Sequence, residues 1–370
     1  MVFKGAGDRS ALDLVEVVEA EGGHINAATG YERTSFQIRA LAGGLPLGLE
    51  VIADLLFRPT LDAEELTREK DVIAQEIAEA ADTPDDLVFD LAQTAAFGVD
   101  ALGRPILGKV RSIGSASVET LSGFRAGLYA PDRIVISVAG AVDEDELLRH
   151  AERLFGAEST RTAWSEPVAG TFVGGVSCRA ARLEQAHLVL ALPSGGARDE
   201  DYFALRVFAE ALGGGMSSRL FQEAREKRGL AYNIDAYADT YTDIGMLGVY
   251  AGCAPDKAVE TARVVAQEIK GLAGGIMPKE LARARTQLKA SLFMAREQAL
   301  SRAEASAGQT LLFDRVLTTA EIADAIDAVS ESDMAKLGAR LLAPKTCAAA
   351  VLGPRASHGA AQEFQTGLFG

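Results

Sequence analysis

Cysteine is scarce. Cys178, Cys253 and Cys347 are odd in number and far apart, which excludes a disulfide framework and a Cys-x-x-Cys metal pair and makes a reducing compartment, the cytoplasm, the expected location. Histidine is almost as rare: none of His24, His150, His187 and His358 stands three or four residues from another. The sequence therefore holds no helical pair of imidazole ligands. No apolar run approaches the roughly 18–20 residues that cross a bilayer, so no membrane span is expected, and the opening residues show no secretory signal pattern. Basic residues are in deficit, 37 against 52 acidic, for a net charge of −15. That balance argues against nucleic acid and weakly favours basic or extended cationic peptides as partners. Aromatics reach only 6% while hydrophobic residues reach 48%, so the core is aliphatic.

What is present is a chain of 370 residues with 24% charged positions, close to the globular average and long enough for two to three domains. Residues 1–155 read as one unit. An amphipathic helix over 12–21 stops at Gly22–Gly23. A hairpin follows, with strands 24–27 and 34–41 around Thr29 and Gly30; Phe36, Ile38 and Ala40 alternate with Gln37 and Arg39, the pattern of a half-buried strand. Helices are expected over 46–56, 62–80, 85–97 and 144–155, with a strand buried on both faces at 133–140 (RIVISVAG). Residues 156–180 read as a linker. In 181–370, strands are expected at 187–192, 230–237, 245–250 and 346–352, and helices at 202–212, 256–273 and 278–304. Strand runs followed by helix runs indicate α+β layers.

The two halves look like a diverged duplication. LDAEELTREKDVIAQE at 61–76 aligns without gaps to IMPKELARARTQLKAS at 276–291, a constant offset of 215 residues. Glu65, Leu66 and Arg68 fall on Glu280, Leu281 and Arg283, whereas Glu69 and Glu76 fall on Ala284 and Ser291. Only the first copy carries the carboxylates. On its helix Asp62 is a candidate N-cap, and Leu66, Ile73, Ile77 and Ala80 form one apolar stripe. Glu69 and Glu76 stack along the border of that stripe. From spacing alone an ion-paired, solvated flank using Lys70 or Arg68 is the commoner reading of such a pair, and a functional pair is the alternative.

Longer motifs shift that balance. TREKDVIAQEIAEAADTPDD (67–86), RSALDLVEVVEAEGGHINAATGYERTSF (9–36), LGRPILG (102–108), LEQAHLVLALPS (183–194) and GGGMSSRLFQEAREKRGLAY (213–232) together resemble the pitrilysin and mitochondrial processing peptidase family over nearly the whole chain. The resemblance implies an α+β fold of two homologous domains, each a mostly antiparallel sheet packed with helices on one side. It also implies a zinc metalloendopeptidase whose His-x-x-Glu-His motif supplies two zinc ligands and the general base. By position Glu76 resembles the distal zinc ligand and Glu69 the acid behind it. Arg225 and Tyr232 resemble a pair that contacts bound peptide. The family motif ends just before the residues matching 1–5, and the 370 residues contain no His-x-x-Glu-His. A first domain lacking its N-terminal strand and motif helix, and a chain inactive alone, are therefore expected.

His24 matches a strand position and not a ligand, and His24, Asn26 and Ala27 lie on a strand edge to which an extended peptide could add. Gly213–Ser217 lacks the Lys-Ser/Thr of a P-loop and reads as a hinge. A peptide or presequence substrate, and a homodimer or a heterodimer with a related subunit, complete what the resemblance implies. A non-catalytic partner subunit is the alternative, opposed by the retention of Glu69 and Glu76.

Overall fold

The computed structural model describes residues 1–156 and 167–370, and the core of the expected linker, 157–166, lies outside them. From the start, α1 (Ala11–Ala20) leads into the hairpin β1 (His24–Thr29) and β2 (Thr34–Arg39), followed by α2 (Leu45–Phe57), α3 (Ala63–Asp82), α4 (Pro84–Phe97), α5 (Val118–Leu128) and α6 (Glu144–Phe155). Local chemistry sets these bounds. Ser10 Oγ accepts the Asp13 N–H while the Asp13 carboxylate accepts the Ser10 N–H, a reciprocal cap for α1. Gly22, at φ +66°, ends it in a conformation that favours glycine. Asp62 Oδ1 accepts the N–H groups of Glu64 and Glu65 at the start of α3.

The second half runs β3 (Gly175–Ala180), β4 (Ala186–Gly195), α7 (Tyr202–Gly213), β5 (Ala231–Thr240), β6 (Ile244–Cys253), α8 (Ala258–Ala273), α9 (Pro278–Arg296), α10 (Ala299–Phe313), α11 (Thr319–Ala328), α12 (Glu331–Leu342), β7 (Ala348–Gly353) and α13 (Gly359–Phe369).

Two compact units form, and neither is continuous in sequence. The first comprises residues 1–78, 106–167 and 295–316; the second comprises 79–105, 168–294 and 317–370. In the first unit the β1–β2 hairpin pairs Ile25 with Ile38 and Ala27 with Phe36. This apolar face packs with Leu14, Val18, Val51 and Leu55 of α1 and α2. A second cluster joins Leu49, Ala53 and Leu56 to Phe155 of α6, with Ile134 and Ile136 against it. The expected strand over 133–140 is not one: Pro131–Arg133 forms a 3-10 turn and Ile134 continues with extended backbone, but no ladder partner lies beside it among the described residues. Extended backbone with apolar side chains makes the sequence pattern of a strand, and only a neighbouring strand makes the strand itself.

The second unit is built on a five-stranded sheet ordered β3-β7-β4-β6-β5, antiparallel except where β3 runs parallel to β7. On the central strand β4, Leu188, Leu190 and Leu192 enter the main core, formed with α7, α8, α12 and α13. Because side chains alternate along a strand, Val189 faces the other way. There it joins Tyr250, Ala350 and Leu352 under Val88 and Ala92 of α4. The sheet thus has its expected helix layer and, in addition, one helix from the first half of the sequence on its opposite face.

The offset of 215 carries α3 onto α9 and α4 onto α10. As α4 belongs to the second unit, so α10 belongs to the first. The single helix expected over 278–304 is broken between α9 and α10, where Gln298 turns extended, φ −92° and ψ 123°. No glycine or proline marks the break. Leu190→Ala should cost about 2–5 kcal/mol in urea unfolding, and Val189→Ala about 1–3 kcal/mol, since both are fully buried. A negligible loss at Val189 would mean that α4 does not seal that face.

Candidate functional site

The carboxylate helix α3 presents its two glutamates in different states. Glu69 is 16% exposed at the side chain and bound on two sides, by Lys4 Nζ at 3.0 Å and by the Met1 amino nitrogen at 3.5 Å. Burial pushes its carboxyl up, but the Lys4 hydrogen bond and the two positive charges outweigh it, and Glu69 lies below the ordinary carboxylate range. The ion-paired flank envisaged from spacing has other partners than those expected: Lys70 donates to the Gly114 carbonyl, and Arg68 pairs with Glu64 and Glu65. Glu76, two turns along, is exposed.

One exposed carboxylate does not make a metal centre. Catalytic zinc takes three protein ligands and a water, and among the described residues no group of three His, Cys, Asp or Glu is placed to hold a metal. The histidines are engaged elsewhere or isolated. His187 Nδ1 lies 3.0 Å from the Tyr250 hydroxyl, and burial pushes its pKa down. His150 Nδ1 meets Arg153 at 3.0 Å. His24 is exposed on β1. By themselves the residues present do not fit zinc.

The peptide-facing candidates divide by strand periodicity. His24 and Asn26 stand on the polar face of the hairpin, opposite Arg39 and Gln37, and with Leu300 of α10 they line a groove of about 260 Å³. Ala27 has its side chain on the apolar face, so its contribution to a peptide is its backbone; the Asn26 side chain accepts its N–H at 2.9 Å. β1 pairs only with β2 among the described residues, which leaves its other edge open. In the second unit, Arg225 belongs to the π-helical segment Phe221–Lys227, its guanidinium 4.7 Å over the Phe221 ring. Tyr232, at the start of β5, is 63% exposed.

Sequence reasoning missed the Lys4 partner of Glu69 and a cavity beside residues 214–218. The glycine run after α7 was the only signal of the second.

Two family models match this chain: "Insulinase (Peptidase family M16)" over residues 1–110 and "Peptidase M16 inactive domain" over residues 115–288. An uncharacterized zinc protease of Rickettsia bellii is 35% identical over 355 residues, which cover 96% of this chain and 86% of that protein. One from Bacillus subtilis is 35% identical, covering 89% and 81%. The chain belongs to peptidase family M16. Its fold matches a Pseudomonas fluorescens peptidase M16 inactive domain (TM-score 0.87, 19% identity, covering 96% of this chain and 86% of the other). It also matches a Helicobacter pylori protease (TM-score 0.86, 19% identity, covering 95% and 87%).

In this M16 chain Glu69 and Glu76 fall within the insulinase match, and Arg225 and Tyr232 within the inactive-domain match. No described helix is long and apolar enough to cross a membrane.

The Glu69 ion pairs have a pH signature. A carboxyl whose folded pKa is depressed adds stability above its unfolded pKa, about 4.3, and loses it as pH falls through the folded value. Glu69→Gln should therefore be less stable than the parent near neutral pH by roughly 1 kcal/mol, with the gap closing in acid below the ordinary glutamate range. Melting curves from neutral pH to about pH 3 check this; a gap independent of pH would rule out the ion pairs as its source.

Proposed function

We propose that this chain serves an M16 zinc endopeptidase that cuts extended peptides, presequences among them, with the His-x-x-Glu-His donors supplied from outside these 370 residues. The observation that carries the reading is the arrangement on α3. Glu69 is fixed by ion pairs at the border of the helix's apolar stripe while Glu76, on the same line, is exposed. Such a carboxylate is available as a ligand, and its neighbour's fixed position restrains the helix that bears it. Zinc would supply Lewis-acid chemistry to peptide hydrolysis.

The other residues handle peptide in this reading. The open edge of β1 pairs with extended backbone, which gives affinity with little dependence on side-chain sequence. His24 and Asn26 border that edge on its polar side. Exposed Arg225 and Tyr232 bring a cation and a hydroxyl to peptide carbonyl or carboxylate groups. Assembly with a second copy or a related subunit, and a cytoplasmic location consistent with three unpaired cysteines, belong to the same proposal.

A second reading, a non-catalytic partner subunit, is supported by one observation: residues 115–288 match the peptidase M16 inactive domain. One experiment separates the two. The 370-residue chain alone should bind no stoichiometric zinc and turn over no peptide. Fused to the His-x-x-Glu-His segment of one of the similar zinc proteases, and shown folded by circular dichroism, it should take up one zinc per chain and cleave an unstructured peptide. Glu76→Gln in that fusion should lower zinc affinity by about tenfold or more. A folded fusion without zinc, or one whose zinc ignores the Glu76 substitution, would leave the partner-subunit reading standing.

A further inference from the structure

Beside the glycine-rich loop of the second unit lies a cavity of about 450 Å³, lined by the end of α7, residues 214–218 and the first turns of α9. The peptidase reading makes no use of it. Its charged walls are Glu210, Glu280 and Arg283, and these differ in how they are satisfied. Arg219 donates to both oxygens of Glu280, at 2.6 and 2.8 Å, so that carboxylate is neutralised by a bidentate partner. Arg283 donates to the Ser217 carbonyl at 2.7 Å. Glu210 is half-buried with no hydrogen bond or ion pair to a described residue, and burial alone pushes its carboxyl up.

Three further features show what is missing beside Glu210. The last turn of α7 carries no basic residue, although the carbonyl end of a helix attracts positive charge; instead it carries this glutamate. Ser218 is 3% exposed, lines the cavity, and its Oγ has no hydrogen-bond partner, a state that costs free energy unless a ligand relieves it. At Gly214 a Cβ would fall 2.2 Å from a Glu210 oxygen, so any larger residue there would push the carboxylate from its place. The loop itself is pinned, with Gln222 donating to the Met216 carbonyl at 2.7 Å.

We propose that this cavity binds an organic cation, an ammonium or guanidinium head group that takes Glu210 as its counter-ion and Ser218 Oγ as a second acceptor. A divalent metal is the poorer match, because hard cations need six or more oxygen ligands and Glu280 is already committed to Arg219. The head group occurs both on free amines and on the basic side chains of peptides. The net charge of −15 favours either source by long-range attraction. The site stands on the geometry of the second unit alone and requires neither zinc nor peptide cleavage.

Isothermal titration of the 370-residue chain with n-butylammonium, n-butylguanidinium and neutral n-butanol tests it, alongside two peptides that differ only in lysine against norleucine. The cations or the lysine peptide should saturate, and n-butanol and the norleucine peptide should not. Saturation by the free cations assigns a small-molecule ligand; saturation by the lysine peptide alone assigns a side chain. Glu210→Gln should weaken binding by about tenfold or more, the loss expected for a charge-assisted hydrogen bond. Ser218→Ala should weaken it severalfold without lowering the melting temperature, because it removes an unsatisfied hydroxyl. Glu226→Gln, at an exposed acid outside the cavity, should have no effect. Equal binding of n-butanol, undiminished binding by folded Glu210→Gln, or saturation by none of the probes would overturn the proposal.

Discussion

The second unit depends on one constraint: the central strand β4 is buried on both faces. A strand with apolar side chains on either side needs cover on either side. The helices near it in sequence, α7 and α8, with α12 and α13, take the face of Leu188, Leu190 and Leu192. Val189 and its cross-strand neighbours Tyr250 and Ala350 need another helix, and α4 from the first half of the sequence meets that need through Val88 and Ala92. The equivalent helix of the second half, α10, belongs to the first unit. The second unit is therefore completed by a helix encoded in the first half, so the second half of the sequence does not carry a whole core.

Much of this was legible in the residues. The strand expected at 187–192 is the centre of β4, and the 215-residue offset that aligned 61–76 with 276–291 also carries α4 onto α10. Two features were not legible, for the same reason. RIVISVAG has the composition of a strand but no ladder partner among the described residues, and the stretch 278–304 has continuous helical periodicity across a break. Periodicity reports which side chains seek burial. It does not report whether a partner strand is within reach, or where a helix breaks.

The candidate site divides along the same line. That α3 bears two stacked carboxylates at the border of an apolar stripe follows from 3.6 residues per turn. That one is held and the other free does not, because Lys4, the partner of Glu69, is sixty-five positions away in sequence. Strand alternation by itself separates Ala27 from His24 and Asn26: with a period of two, the first must face opposite to the other two. Packing turns that alternation into chemistry, with a polar groove on one face and a core contact on the other.

The acidic side chains make the final distinction. A chain with a net charge of −15 has many carboxylates, and their number says nothing about which of them act. What separates them is whether burial is repaid. Glu69 and Glu280 give up solvent and gain fixed cations within hydrogen-bond reach, so each serves to hold structure. Glu76 gives up little solvent and remains able to take a ligand. Glu210 gives up about as much solvent as a structural acid but gains no cation from the described residues. A half-buried carboxylate in that position carries a desolvation cost that a proton or an incoming positive charge offsets. This places the unmet electrostatic demand of the second unit at the end of α7, far along the sequence from Glu69 and Glu76.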